Sequence, residues 1–263
     1  QMGWMCALSW TGLLFMASVS LAGAEPGHRT GDQALIAAAE RNDVEAVRQL
    51  LKEGASVRAR DPQGRTALLA ATYRNHVEIA KLLILTGSDV NTQDAMQNSP
   101  LLLAGASGYL DILRMTLAAD PDFTIYNRYG GTALIPACER GHVEVVKELL
   151  KTKIDVNHVN RLGWTALLEA IILGDGGPTH QTIVGLLVAA GADLNLGDGD
   201  GVTPLRHARQ KGYRVIAKSG DNSDTWLRKS RAATPITVND WPFKVMVRPT
   251  TSASPSKYLS QAA

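Results

Sequence analysis

One pattern recurs at fixed spacing along this 263-residue chain, and it constrains the fold more than any other feature. From Gly130 to Asn157 the chain reads GGTALIPACERGHVEVVKELLKTKIDVN. The same order of residue types starts at Gly31, Gly64, Gln97, Gly130, Gly163 and Gly201. The first five starts are evenly spaced, and the last step is longer by an insertion. A unit of this size cannot bury its own apolar face, so it must lay that face on its neighbour, and the chain is expected to be a stacked array.

Each unit reads as two helices. Thr66, Ser99, Thr132, Thr165 and Thr203 precede apolar runs, where a hydroxyl can accept from the free amides of a first helical turn. Pro100 and Pro204 follow directly, at the first helical position, where proline loses no hydrogen bond. Leu68, Leu101, Leu134, Leu167 and Leu205, each with an alanine three residues on, put one large and one small apolar residue on a single face. The alanines allow close approach between units. A turn follows at Asn75, Gly108, Gly141 and Gly212, residue types that suit a left-handed helix end. The second helix is clearest at His142–Leu150, with Val145, Val146, Leu149 and Leu150 inward and Glu144, Lys147, Glu148 and Lys151 expected in water. A second turn, at Gly54, Gly87, Asp120, Lys153 and Gly191, leads into an extended loop that reaches the next capping residue.

The opening Thr or Ser, then Ala or Pro, then Leu, with alanine three residues later and a period of about 33 residues, resembles the ankyrin repeat. The resemblance covers about residues 31–218 and implies an all-α solenoid of six helix-turn-helix repeats with projecting finger loops, the last repeat cut short. One departure runs through the array: the histidine usual after the leucine is replaced by Leu69, Leu102, Ile135, Leu168 and Arg206, so apolar packing must do the work of its hydrogen bonds. Proteins of this family bind other proteins on the concave side, built from fingertips and the exposed ends of the first helices. Carried onto this chain, that face comprises Arg65, Tyr73 and Arg74, then Met96 and Asn98, then Arg128, Tyr129 and Arg140, then Arg161, Leu162 and Trp164. Arginine and aromatic residues are the types enriched at binding hot spots. The arginines would make the face positive and favour an acidic protein surface, and Trp164 and Tyr129 could alternatively pack between fingers. A monomeric, non-enzymatic binding module without a cofactor is expected.

Outside the repeats, residues 1–24 carry no charge, hold an apolar stretch from Leu13 to Leu21 and end in Ala22, Gly23 and Ala24. That reads as a secretion signal, with export to the periplasm or beyond and no membrane attachment once it is cut. An uncleaved anchor is the other reading, since no Lys or Arg precedes the apolar run, and an effector delivered to a host cell is the alternative function. Residues 25–30 read as a polar linker, Asp32–Gly54 as an N-terminal capping repeat, and residues 219–263 as an irregular tail, whose abrupt loss of register in mid-helix also fits a reading-frame change. Removal of Cys6 with the signal would leave Cys138 alone, a small buried hydrophobe rather than a disulfide partner.

A net charge of +2 does not point to nucleic acid or to an anionic membrane. His76, His142 and His180 fall at the repeat's turn, about 10 Å apart between neighbouring repeats, too far to share a metal. Asp198, Gly199, Asp200 and Gly201 resemble part of a calcium loop but lack the closing glutamate, so they read as an ordinary finger. Two local irregularities stand out. Pro136 lies where a helical amide begins to be needed, and Gly174–Pro178 inserts a loop between the helices of the fifth repeat.

Overall fold

The computed structural model describes residues 26–214 and residue 216, with side chains from Thr30 onward. The expected signal (1–24), Cys6 and the tail (219–263) lie outside the described residues. Within them the order is α1 (Pro26–Glu40), α2 (Val44–Lys52), α3 (Ala67–Tyr73), α4 (Val77–Leu85), α5 (Pro100–Ser107), α6 (Leu110–Ala118), α7 (Leu134–Glu139), α8 (Val143–Leu150), α9 (Ala166–Ile172), α10 (Pro178–Ala189) and α11 (Pro204–Gln210). Among the described residues there is no strand. The odd-numbered helices form one row, each packed on the next, and α2, α4, α6, α8 and α10 form a second. Arg214 and Ile216 are helical as well, where the second helix of the sixth repeat is expected to begin.

The apolar spacing of the sequence becomes the core. Leu68, Leu134 and Leu167, with Ala71, Ala104, Ala137, Ala170 and Ala208, are essentially inaccessible, and Ile79, Leu83, Ile112, Leu113, Val146 and Leu149 fill the second row. Close approach goes further than alanine at Gly105, where a Cβ would stand 2.9 Å from both Cβ and the carbonyl oxygen of Ala133. Helix starts are set by hydroxyl caps. Thr66, Ser99, Thr165 and Thr203 accept from the amides of Leu69, Leu102, Leu168 and Arg206 at 3.2 to 3.4 Å. Helix ends turn at Asn75, Gly108, Gly141 and Gly212, all with positive φ between 56° and 78°.

Four expectations are corrected. Residues 26–30 are not a linker but the first turns of α1; this repeat has no capping Thr, so nothing in the sequence marked where its helix begins. Thr132 does not cap. Pro136 has no amide to give the carbonyl of Thr132, whereas Ala70, Leu103, Glu169 and His207 at the same position reach their cap residue's carbonyl at 2.9 to 3.0 Å. The proline ring also crowds that carbonyl. So α7 starts late, with Ala133 as its cap, and the Thr132 hydroxyl is buried without a partner. The expected irregular turn is there. Glu148, placed in water by its helical position, is only 6% exposed. Burial pushes its carboxyl up, but Arg114 from α6 and Lys151, at 2.8 and 3.1 Å, more than offset that and hold it below the usual range. His180, finally, is the third residue of α10 rather than a turn residue.

The shift of His180 follows from the insertion. Pro178 opens α10, which is 12 residues long where the other second helices have eight or nine, and Gly174–Gly177 form the loop before it. Asp175 accepts from the amide of Gly177 and from His180 Nδ1 at 2.8 Å, and the hydroxyl of Tyr213 in the sixth repeat donates to the carbonyl of Gly174 at 2.8 Å. Cys138 is fully buried, and burial, with the charge of Glu169, raises its thiol well above its ordinary value.

Replacing Pro136 with Ala should return the missing amide and let Thr132 cap. A bond regained and a buried hydroxyl satisfied together amount to about 2 kcal/mol. The urea midpoint should therefore rise at unchanged slope. An unchanged or lower midpoint would show that the late start of α7 has another cause.

Candidate functional site

The fingers are built on one residue type at one position. Asp61, Asp94, Asn127, Asn160 and Asp198 each turn a side-chain oxygen back on the loop and accept from the amides two and four residues on, at 2.8 to 3.1 Å. A backbone bond from the residue three beyond closes the turn, and that residue has positive φ in Gly64, Gln97, Gly130, Gly163 and Gly201. The five root residues recur with the period of the repeat, lengthened once across the insertion, so the spacing that located the glycines also marks them. In sequence alone, Asp and Asn in a loop look like ordinary solvated residues. Asp198 belongs to this set. Its second oxygen takes His207 Nε2 at 2.7 Å, so the glycine-rich run is a finger, and among the described residues no three potential ligands are placed to hold a metal.

Neighbouring fingers are bonded directly. The amide of Ala95 donates to the carbonyl of Gln63 and that of Arg161 to the carbonyl of Tyr129, each at 2.9 Å. Gln93 donates to the carbonyl of Tyr126, Arg161 Nη1 donates to the carbonyl of Arg128, and His158 Nε2 lies 2.6 Å from the carbonyl oxygen of Gly130. Tyr126 stacks on the His158 ring at 4.3 Å. The tips are thus held as a continuous ridge.

On this ridge the residue two beyond each root is exposed in every finger. In three consecutive fingers it is Met96, Tyr129 and Leu162, which are 50%, 53% and 57% exposed. Arg128 ties two of them together, with Nη1 3.8 Å from the Met96 sulfur and its guanidinium carbon 4.8 Å from the Tyr129 ring centre. Arg140, at the end of α7, donates to the carbonyl of Ala106 at 2.7 Å. Arg128, Arg140 and Arg161 are exposed and pair with no described carboxylate.

The other predicted residues fall elsewhere in the network. Arg65 is half-buried between Asp61 at 2.7 Å and Glu40 at 3.2 Å, and Arg74 reaches Glu40 at 3.5 Å, so their charge is balanced within the chain. The expected positive face is therefore narrower than the sequence suggested, because it lacks these two. Burial and the neighbouring Asp94 push the Tyr73 phenol up to about 12; its hydroxyl donates to Asp94 and accepts from Asn98. Tyr73 and Asn98 join the second repeat to the finger of the third. Trp164 is half-buried at the base of its finger, where its amide donates to Asn160 at 3.0 Å.

Beneath that finger lies Glu169 of α9, 6% exposed, whose carboxylate accepts from Asn160 Nδ2 at 2.7 Å. Burial, with the charge of Glu139, pushes this carboxyl up to about 7, against the opposing hydrogen bond from Asn160. The folded chain then holds a proton that the unfolded chain releases near 4.5, so stability falls as pH rises from about 4.5 to 7. Glu169→Gln removes that dependence. It should leave stability unchanged near pH 4 and raise it above pH 7 by on the order of 3 kcal/mol, read from urea unfolding across the range. Parallel pH profiles for the two proteins would show that Glu169 titrates normally.

Among known proteins, a family model described as ankyrin repeats, three copies, matches residues 5–94 and 101–198. The chain is similar to the ankyrin repeat protein YahD of Escherichia coli strain K12, with 50% identity over 50 residues, which is 19% of this chain. That match spans about a quarter (25%) of the length of YahD. The fold resembles the crystal structure of an ankyrin repeat domain from Acinetobacter baumannii AYE with a TM-score of 0.71 and 54% identity, over 72% of this chain and 97% of that one. It also resembles the ankyrin repeat protein EF0377 with a TM-score of 0.71 and 42% identity, over 73% and 98%. With the period, the paired helices and the bonded fingers, these matches place the chain in the ankyrin repeat family, whose repeats serve as protein–protein interaction modules.

Proposed function

We propose that this protein is a monomeric, non-enzymatic adaptor of bacterial origin, exported to the periplasm, which binds a protein with an acidic surface through the finger tips of its third, fourth and fifth repeats. The observation that carries the reading is the row Met96, Tyr129 and Leu162. Three large apolar side chains stand half or more in water on loops tied down by the hydrogen bonds of their Asp or Asn roots. Covering them removes apolar area from water, and preordered loops lose little entropy on binding. The guanidiniums of Arg128 and Arg161 give the row its charge, and Arg140 adds another at the end of α7. They favour carboxylates across the interface and faster association at low salt. Export rests on the uncharged, apolar residues 1–24 with their small-residue end.

The face is tested by pull-down from periplasmic extract with wild type, Tyr129→Ala and Lys147→Ala, the last an exposed residue of α8 paired with Glu144 at 2.7 Å. A hot-spot loss of more than about 1 kcal/mol should strip the partner from Tyr129→Ala alone. Equal recovery from all three would exclude the fingertips. Mass spectrometry of the mature protein tests export: an N-terminus at Glu25 is expected, and retention of the segment before it would contradict cleavage.

A further inference from the structure

We infer that the segment received by this ridge is an acidic amphipathic α-helix with apolar residues at every seventh position. This rests on the fingertip reading above and specifies the partner's form. Met96, Tyr129 and Leu162 occupy equivalent places in successive fingers, one full repeat apart in the chain. The fingers of the fourth and fifth repeats are bonded backbone to backbone, and those of the third and fourth are joined through the side chains of Gln93 and Arg128, so the tips follow the stacking of the helices beneath them and stand about 10 Å apart. A helix advances about 10.5 Å in seven residues and brings nearly the same face round again. A β-strand covers that distance in three residues, which puts successive contacts on opposite faces. Of the two hydrogen-bonded forms, the period of the array therefore fits the helix, with a heptad on the partner.

The footprint has ends. The tip positions in the second and sixth repeats are Gln63 and Asp200, so the apolar row is three fingers long, about 20 Å, or some 14 residues of helix. Charge runs along the same line. Arg128 lies against both Met96 and Tyr129, and Arg161 is bonded to the carbonyl of Arg128, so guanidiniums with no described carboxylate partner run along the row of apolar tips. A helix with Leu or Met at one position of each heptad and Glu or Asp beside it meets both features at once. Asp200 at the far end sets polarity against an acidic segment running further, which limits the helix to the three fingers.

The test uses synthetic peptides of about three heptads and the full chain. One carries leucine at every seventh position with flanking glutamates; a second has the same composition with leucines five apart; a third is acidic and broken by prolines so that it stays extended. Binding is read by fluorescence anisotropy at low and at high salt. The heptad peptide should bind at least about tenfold more tightly than either of the others. That binding should weaken with salt and fall about fivefold or more with Tyr129→Ala or Leu162→Ala, but not with Lys147→Ala. Equal affinity for the two helical peptides, preference for the extended one, or no binding by any of them would overturn the inference. The pull-down with the native partner reads the fingertip face independently, so a helix that fails while Tyr129→Ala still loses the partner leaves the face standing.

Discussion

Everything in this protein depends on a nearest-neighbour constraint: no repeat can bury its apolar face except on the next. Leu68 of α3, Leu134 of α7 and Leu167 of α9 reach full burial only because a copy of the same helix lies alongside. Stacking of that kind tolerates little variation in repeat shape, and small residues at the contact set the spacing. Gly105 against Ala133 shows the limit, with no room left for even one methyl group.

The finger roots extend the same constraint to the loops. One Asp or Asn per finger satisfies two amides and fixes the tip, and the amides of Ala95 and Arg161 pair with the neighbouring finger. Loops are usually the mobile part of a fold, but here they are locked to the period of the core. The proposed binding at the row of exposed apolar tips relies on that order. A flexible loop would lose entropy on capture, and an isolated exposed Tyr129 would carry little information.

Departures from the repeat are absorbed locally, each by a different physical route. Pro136 forfeits one turn of capping and leaves the Thr132 hydroxyl without a partner. The insertion in the fifth repeat is taken up by an extra turn of α10 and pinned by Asp175, His180 and Tyr213. Glu169 is held under its finger by Asn160 at the cost of a buried carboxylate, while Glu148 meets the same problem with two cations.

By itself the sequence determined the family, the order of the helices and the turns at Asn75, Gly108, Gly141 and Gly212, because these follow from local chemistry repeated from unit to unit: hydroxyl caps, glycine or asparagine at left-handed positions, apolar residues on one face. It also pointed to Met96, Tyr129 and Leu162 as surface residues. What it did not determine were the pairings across repeats. Arg65 and Arg74 read as free positive charge, yet Glu40 and Asp61 meet them; Glu148 read as a wet residue, yet Arg114 of the neighbouring helix covers it. Thr132 read as a cap, yet Pro136 lacks the amide that would bond its carbonyl and α7 starts one residue later. Glu40 and Arg114 each come from a different repeat than the residue they meet, and which side chains two stacked repeats bring together is settled by their packing, not by either repeat's own order of residues.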